Sequence, residues 1–163
     1  MDEGNTVDYE TLKKVLASLE DEKVEYAVFG AIAVNLHGLP RATEDLDIFI
    51  APTEANVARL RMALRSVFDD PCVDDITAED LLGDYPSVRY APPEGDFYMD
   101  ILTRLGELYR YEDIETVRVP FDDLEVTVAT PQMLHQMKKG TVRPKDWGDA
   151  ARLQERFGLE ESD

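Results

Sequence analysis

Residues 44–50 read Glu-Asp-Leu-Asp-Ile-Phe-Ile, an apolar run that two aspartates interrupt. The β-branched and aromatic residues predict a buried strand from Asp45 to Ile50. Because side chains alternate between the faces of a strand, Asp45 and Asp47 share one face, roughly 7 Å apart along it. The residues between and after them point to the other face, toward apolar packing. A carboxylate in such a run is costly unless something pairs with it, so this strand predicts a site as well as a sheet.

A third aspartate lies in a similar run. Residues 97–102 read Phe-Tyr-Met-Asp-Ile-Leu, which predicts a strand with Tyr98 and Asp100 on one face. If this strand pairs with the first, Asp100 joins Asp45 and Asp47. Clustered carboxylates repel one another without a counter-ion, and oxygen ligands of this kind suit Mg²⁺ or Mn²⁺. The alternative, which a lone Asp-x-Asp favours, is that these aspartates end their strands and face water.

A glycine turn precedes the Asp-x-Asp strand. Residues 24–29 predict a strand that ends at Gly30, and residues 31–36 predict a helix that closes at His37. Free backbone amides at a helix start can bind phosphate, so Gly30 and Ala31 are candidates to contact a nucleotide. Strand-glycine-helix junctions are common in themselves; this one gains weight because its helix leads back into the Asp-x-Asp strand.

The remaining pattern predicts a small mixed β-sheet with helices packed on it, an α/β (α+β) fold. The first half is expected to be α/β and the second half more antiparallel. We expect one domain over residues 1–163, with a core of about 24–129 and a helical C-terminal segment of about 130–158. The further predicted helices cover residues 7–22, 53–68 with Thr53 as its N-cap, 131–139 and 145–157. A short capped helix from Thr77 is expected within an acidic loop of residues 69–84, and a helical turn over 106–111. Of the further strands, 87–91 is joined by a turn to the strand of 97–102, and 116–120 and 124–129 form a hairpin around residues 122–123.

The composition indicates a globular chain, with 44% hydrophobic and 32% charged residues in 163. The net charge of −18 argues against a protein that binds nucleic acid over much of its surface, because phosphate contacts need positive charge. It is compatible with a small basic patch. No run is long enough for a membrane span, the acidic start lacks the features of a signal peptide, and Cys72 is the single cysteine. We therefore expect a cytoplasmic protein without disulfides or a membrane partner.

Several basic residues could serve a nucleotide. Arg41 and Thr43 precede the Asp-x-Asp strand, and a guanidinium there could reach a phosphate or a base. Residues 138–145 hold four of the 17 basic residues, among them Lys138 and Lys145, and could neutralise a triphosphate or grip an RNA end. The alternatives are a surface ion pair for Arg41 and ordinary placement of lysines at a helix C-terminus. Two isolated histidines make a zinc site a poor fit, and no P-loop or Rossmann motif occurs.

Residues 29–48, Phe-Gly-Ala-Ile-Ala-Val-Asn-Leu-His-Gly-Leu-Pro-Arg-Ala-Thr-Glu-Asp-Leu-Asp-Ile, resemble the signature of polymerase-beta-like nucleotidyltransferases. The resemblance is to the branch of abortive-infection toxins and minimal nucleotidyltransferases. Its signature is a Gly-Gly or Gly-Ser turn, a helix often ending in His-Gly, Arg-x-Thr, and Asp-x-Asp. Residues 129–131, 137–138 and 145–149 are similar to later segments of that branch, so the resemblance covers most of the chain.

The resemblance implies roles for the candidate residues. Asp45 and Asp47 would hold the metals, Asp100 would be the third ligand and the base for the incoming hydroxyl, and Gly30 would lie under the triphosphate. The chain departs from the signature at Ala31, where the family usually has Gly or Ser. The backbone amide remains there, but a hydroxyl that could bind phosphate is lost, which bears on turnover and nucleotide preference.

The leading hypothesis is therefore a metal-dependent nucleotidyltransferase that moves a nucleoside monophosphate from a nucleoside triphosphate to a hydroxyl. The acceptor could be a tRNA end, a protein or a small molecule, and the resemblance favours the first two. It also implies a toxin–antitoxin system with a cognate partner protein. The second hypothesis is a non-catalytic module of this fold that binds a nucleotide or a partner, which Ala31 favours. A third is an acidic interaction domain in which the motifs occur by chance.

Overall fold

The computed structural model describes residues 9–38, 45–83, 86–93, 97–105, 109–139, 151 and 153–158. Its helices are α1 (Tyr9–Asp21), α2 (Gly30–Leu36), α3 (Glu54–Val67), α4 (Ala78–Leu82) and α5 (Pro131–Lys139). Its strands are β1 (Tyr26–Phe29), β2 (Asp45–Ile50), β3 (Ser87–Tyr90), β4 (Tyr98–Leu102), β5 (Arg104–Leu105), β6 (Tyr109–Arg110), β7 (Thr116–Phe121) and β8 (Leu124–Ala129). No helix in these ranges is both long and apolar enough to cross a bilayer.

Six of the strands form one mixed sheet in the order β3-β4-β2-β1-β8-β7. The parallel pairs are β2 with β4 and β1 with β8. The other three pairs are antiparallel. The predicted mixed sheet is confirmed, and the pairs within the second half, β3–β4 and β7–β8, are antiparallel as expected. The first half differs from a parallel α/β arrangement. Strands β1 and β2 are already antiparallel, and the parallel pairs join early strands to late ones.

A buried asparagine ties α3 to both strands of the β1–β2 pair. Asn56 is fully buried, and its amide donates to the carbonyl oxygens of Glu25 (2.9 Å) and Ala51 (3.1 Å). Its side-chain oxygen accepts from the backbone N–H of Glu25 at 2.7 Å. Thr53 caps α3 as predicted, because its hydroxyl accepts from the Asn56 backbone N–H at 3.1 Å. These satisfied bonds hold the beginning of β1 beside the end of β2.

The core is continuous across the sheet and its helices. The even-numbered side chains of β2, Leu46 and Ile48, are fully buried in the same apolar cluster as Leu16 of α1 and Leu60 of α3. Full burial of a leucine or isoleucine side chain contributes about 1.5–3 kcal/mol. One face of β2 is therefore fixed by packing, which leaves its first aspartates on the other face.

Most predicted elements are present, with differences in the connecting segments. The hairpin around residues 122–123, the capped helix from Thr77 and the helix from Pro131 are confirmed, and residues 151 and 153–157 are helical as predicted. Of the helical turn predicted over 106–111, residues 109 and 110 instead form β6, which pairs with β5, whereas Tyr111 begins a 3₁₀ turn, Tyr111–Asp113. Residues in the acidic loop, Pro71–Asp75, form a 3₁₀ helix that the sequence did not predict.

Candidate active site

Three carboxylates meet on the face of β2 and β4 opposite the one from which Leu46 and Ile48 enter the core. The parallel register places Asp47 directly opposite Asp100, and Asp45 opposite Tyr98. One oxygen from each of Asp45, Asp47 and Asp100 lies within 4.8 Å of the other two. All three residues are half-buried. The predicted convergence is confirmed, and it follows from strand alternation together with the β2–β4 pairing.

The polar face is short. Phe49, two residues after Asp47 on the same face, is fully buried, and its ring centroid lies 4.6 Å from that of Phe29. The face of β2 thus changes from carboxylates to an aromatic pair within two residues, from Asp47 to Phe49. The carboxylates are confined to the first half of the strand.

Gly30 lies against the carboxylate cluster. Its neighbour Phe29 pairs with Asp47, and Gly30 has φ +74°, in the left-handed region that favours glycine. A Cβ built on Gly30 would lie 2.2 Å from Oδ2 of Asp47, which is closer than any side chain tolerates. The turn from β1 into α2 therefore needs glycine for its conformation and for the close approach of backbone to carboxylate. Ala31 follows it as the second residue of α2.

The cluster holds protons in the absence of a cation. Burial, together with the charges of Asp45 and Asp100, raises the pKa of Asp47 to about 8. Burial also raises the pKa of Asp45, although a hydrogen bond from Asp47 acts in the opposite direction. With its pKa raised this far, the Asp47 carboxyl favours the protonated form at neutral pH, and its hydroxyl donates a hydrogen bond to Asp45. A divalent cation bound in place of that proton would relieve the repulsion among the three carboxylates.

Arg89 of β3 contacts the third carboxylate. The antiparallel register places Arg89 opposite Asp100, and its Nε donates to Oδ1 at 2.9 Å while Nη2 donates to Oδ2 at 3.4 Å. The Arg89 side chain is 62% exposed and that of Asp100 only 20%. The guanidinium carbon lies 4.5 Å from the centroid of the Tyr98 ring. Arg89 and Tyr98 extend the polar face toward the edge of the sheet.

Neither Arg89 nor Tyr98 was among the residues singled out from the sequence for the site. Tyr90, which follows Arg89 in β3, is buried, and its hydroxyl donates to Asp70 at 2.7 Å. The signal for Arg89 was present in the prediction that residues 87–91 and 97–102 are neighbouring strands. A cross-strand count from that hairpin brings Arg89 opposite Asp100, but only if the length of the turn is known.

The donor set fits a divalent cation. It consists only of carboxylate oxygens, which Mg²⁺ and Mn²⁺ prefer, and these oxygens are close enough together to bind a shared ion. Among the described residues, it is also the one group of at least three histidine, cysteine or acidic side chains with this spacing. Its burial and mutual repulsion, which raise the pKa of Asp47, are what a bound cation would offset.

The other predicted site residues are not among the side chains that form the described cluster. Arg41, Thr43 and Lys145 lie outside the described residues, and Lys138 belongs to α5 but its side chain is not described. His37 has a packing role, because its Nε2 donates to the Ala129 carbonyl oxygen at 2.8 Å, and His135 is buried.

A cavity exists elsewhere in the described fold, at the opposite end of β2 and β4. It is lined by Pro52, Leu81, Thr103, Arg104 and Tyr111, among others. Pro52 and Thr103 follow the C-terminal ends of the two strands, whereas the carboxylates lie on their first half and middle. The three aspartates therefore do not line this cavity.

The amino-acid sequence matches one protein-family model over residues 14–163, and that family is described as "Nucleotidyl transferase AbiEii toxin, Type IV TA system". No curated protein sequence matches this chain significantly.

Solved structures with the same fold include lincosamide antibiotic adenylyltransferase LnuA bound to lincomycin, with a TM-score of 0.58 and 16% identity over 92% of this chain and 98% of that one. An antigenic nucleotidyltransferase-like protein from Paracoccidioides brasiliensis also has a TM-score of 0.58 and 16% identity, over 92% and 78% of the two chains. ANT(2″)-Ia in complex with adenylyl-2″-tobramycin has a TM-score of 0.56 and 11% identity, over 91% and 88%. At these identities the likeness shows a shared nucleotidyltransferase fold.

Proposed function

The chain belongs to the AbiEii family of nucleotidyltransferase toxins of type IV toxin–antitoxin systems, and on that premise we propose the reaction and its residues. The protein transfers a nucleoside monophosphate from a nucleoside triphosphate to a hydroxyl group, with Asp45, Asp47 and Asp100 as the catalytic carboxylates. The observation that carries this proposal is the convergence of these three side chains within 4.8 Å beside Gly30.

The three carboxylates would hold Mg²⁺ or Mn²⁺. Bound there, the cations would supply positive charge to the α-phosphate and to the departing pyrophosphate. Asp45 and Asp47 can both contribute because they share a face of one strand, and Asp100 joins them from β4. The proton that Asp47 keeps in the free protein leaves when a cation binds.

The bond changes follow from this placement. The acceptor oxygen forms a bond to the α-phosphorus while the bond from that phosphorus to the pyrophosphate oxygen breaks. Asp100 accepts the proton of the acceptor hydroxyl, which is the role the family resemblance implies. Gly30 allows the nucleotide phosphates to approach the backbone beside Asp47, because it carries no side chain there. Arg41, Thr43, Lys138 and Lys145 are proposed as additional nucleotide contacts on the basis of the sequence.

The acceptor is a tRNA end, a protein or a small molecule. The toxin family favours a cellular macromolecule and implies a cognate antitoxin. The structural relatives favour a small molecule, since one is an antibiotic adenylyltransferase bound to lincomycin and another holds adenylyl-2″-tobramycin. The alignment covers 98% of LnuA and 92% of this chain, so the two are similar in length. A fold of this size therefore accommodates adenylyl transfer to a small molecule. We propose that residues 1–163 form the catalytic unit.

The test is label transfer from each α-labelled nucleoside triphosphate, with Mg²⁺ and a total cell extract as acceptor. Wild-type protein should label RNA or protein, and Asp47→Asn should lower the rate by about 10³-fold because it removes a metal ligand. Asp74→Asn, an exposed aspartate paired with Arg65 far along the chain from the cluster, is the matched control and should keep full activity.

Two outcomes would contradict the proposal. Label transfer that persists unchanged in Asp45→Asn and Asp100→Asn would show that the cluster is not the active site. Heat stabilisation by Mg²⁺ and nucleotide without transfer to any acceptor would favour the binding module, which the loss of a hydroxyl at Ala31 makes a specific alternative.

A further inference from the structure

We propose that Arg89, stacked on Tyr98, is the acceptor-side specificity residue of this site and selects acceptors that carry a phosphate group beside the attacking hydroxyl. This inference rests on the proposed function and goes beyond it, because it assigns a residue and a chemical preference that neither the family match nor the resemblance supplies.

The strand order arranges the site residues along one line across the sheet, from β1 to β3. Gly30 follows β1, Asp47 lies on β2, Asp100 on β4 and Arg89 on β3, and these strands are consecutive neighbours in the sheet. The register places Phe29, Asp47, Asp100 and Arg89 in one row across the sheet. With neighbouring strands about 4.8 Å apart, the row spans roughly 14 Å, enough for a triphosphate at one end and an acceptor at the other.

The reaction has a direction as well. In nucleotidyl transfer, the attacking oxygen and the leaving oxygen lie on opposite sides of the phosphorus that is transferred. If the pyrophosphate lies at Gly30, where the backbone is open beside Asp47, the acceptor must approach over β4 and β3. Asp100, the proposed base, is on that side. The next side chain outward in the row is Arg89.

Arg89 has the capacity to bind an incoming group. Among the described residues its hydrogen bonds go only to Asp100, through Nε and Nη2, so Nη1 has no protein acceptor there. The side chain is 62% exposed, while the ring of Tyr98 holds one face of the guanidinium. A planar guanidinium with free donors binds phosphate well, and its stacked position reduces the entropy lost on binding.

The charge of Arg89 gives the site its preference. The surrounding carboxylates by themselves would attract a polycation such as an aminoglycoside. A cation placed at the acceptor end repels such a ligand and attracts a phosphate. The phosphate group that Arg89 would bind can belong to a free nucleotide or to the end of an RNA chain. The experiment distinguishes these two ligands.

The experiment compares wild type with Arg89→Ala, Arg89→Lys and Arg89→Glu. The control is Arg65→Ala, which removes another exposed arginine that pairs with an aspartate, Asp74. A first arm measures binding of a non-hydrolysable nucleoside triphosphate analogue with Mg²⁺. A second arm measures binding of fluorescent total tRNA and of a nucleoside monophosphate to the analogue-loaded protein. A third arm measures KM and kcat of label transfer to tRNA and to tobramycin.

We expect Arg89→Ala to weaken the binding of tRNA and raise its KM about ten-fold, with a smaller change in kcat and no weakening of analogue binding. Arg89→Lys should recover part of the loss, and Arg89→Glu should lose more while improving tobramycin as an acceptor. A parallel loss for the monophosphate shows that one phosphate group is recognised; a loss confined to tRNA shows that the RNA chain is required. Both results support Arg89 as the contact.

Three results would overturn the inference. The first is tRNA and monophosphate binding that is equal in wild type and Arg89→Glu, or absent in both. The second is a fall in kcat for every acceptor without a change in KM, which would mean that Arg89 merely orients Asp100. The third is an equal effect of Arg65→Ala. Failure of the proposed function is distinguishable, because wild type would then show either no Mg²⁺-dependent analogue binding in the first arm or no label transfer to any acceptor in the third arm.

Discussion

The two edges of the six-stranded sheet each carry an arginine bound to a carboxylate, and the two pairs differ in how completely they are satisfied. At the β7 edge, Arg118 donates to both oxygens of Glu20 (3.0 Å each), to the Thr127 hydroxyl (2.8 Å) and to the Glu125 carbonyl oxygen (3.0 Å). At the β3 edge, Arg89 faces Asp100, behind which lie two further carboxylates.

The difference separates a structural ion pair from a reactive one. The Glu20 pair is balanced in charge, and the buried Tyr26 hydroxyl also donates to Glu20 while it accepts from the Thr127 N–H at 3.2 Å. That network joins α1 to the sheet and leaves no group in need of a ligand. Among the described residues, the Asp100 cluster has one guanidinium for three carboxylates. Its remaining negative charge requires protons or cations, and this imbalance is what marks a site.

The largest effect is expected from a methyl group placed inside the cluster. Gly30→Ala should abolish Mg²⁺-dependent stabilisation and transfer, because its Cβ would overlap Asp47 Oδ2. It should also lower the free energy of unfolding by about 2–4 kcal/mol through clash and a left-handed φ. Gly158→Ala is the matched control, since Gly158 has φ +63° and nothing within 4 Å of its Cβ position. Chemical unfolding and label transfer measure both; equal losses in the two variants would contradict the special role of Gly30.

The two edges should also respond to pH in opposite directions. The pKa of Asp47 is raised to about 8, so the metal-free folded protein binds that proton more tightly than the unfolded chain. The resulting stability is fully present below about pH 4 and is lost as pH rises through about 8. Asp47→Asn should flatten this slope, and Mg²⁺ should restore stability at high pH.

Glu20 provides the opposite sign. Desolvation by itself would raise its pKa, but hydrogen bonds from Arg118 and Tyr26 outweigh burial and hold the pKa of Glu20 below its usual value. Its stabilisation is therefore present above the usual pKa of a glutamate and is lost as pH falls through the lowered one. Unfolding of Glu20→Gln across pH 2–8 measures this. For each variant, the measured quantity is the change, relative to wild type, in how the free energy of unfolding depends on pH. A change of the same sign in Asp47→Asn and Glu20→Gln would contradict the distinction between the edges.

Removing each arginine sharpens the comparison at a smaller scale. Arg118→Ala should lower the free energy of unfolding by about 1–2 kcal/mol, because Glu20 and Thr127 lose their donor. Arg89→Ala should cost no more than that, by increasing repulsion among the carboxylates. Mg²⁺ should cancel the loss in Arg89→Ala and leave the loss in Arg118→Ala unchanged. Thermal unfolding of both variants with and without Mg²⁺ measures this difference. Recovery of Arg118→Ala stability by Mg²⁺ would contradict the distinction between the two edges.

The smallest effect is expected at the turn itself. Ala31→Ser restores the hydroxyl that the family signature often has after the glycine, and it should improve nucleotide binding about two- to five-fold through one added hydrogen bond to phosphate. Calorimetric titration with Mg²⁺ and a nucleoside triphosphate measures the change. Ala33→Ser, which introduces the same hydroxyl at a fully buried position of α2, should not improve binding and should lower stability.

Predictability from sequence differed between the elements and their connections. The strand over Asp45–Ile50, the capped helix from Thr53 and the hairpin at residues 122–123 could be predicted because alternation, capping and turn chemistry are local. The hairpin of β5 and β6 could not, since its two-residue strands are too short to show a period. The antiparallel pairing of β1 with β2 also escaped, because α2 is only seven residues long and the sequence carried no sign of strand direction.

By itself, the sequence determined that Asp45 and Asp47 share a face and that Gly30 precedes a helix, because both statements follow from backbone geometry within a few residues. Only the tertiary structure decided that β4 lies beside β2, that Asp100 reaches the same point, and that Arg89 closes the row. The physical reason is that strand neighbours and register are set by long-range packing. The buried residues of β2 and the bonds of Asn56 fix them, and no single segment carries that information.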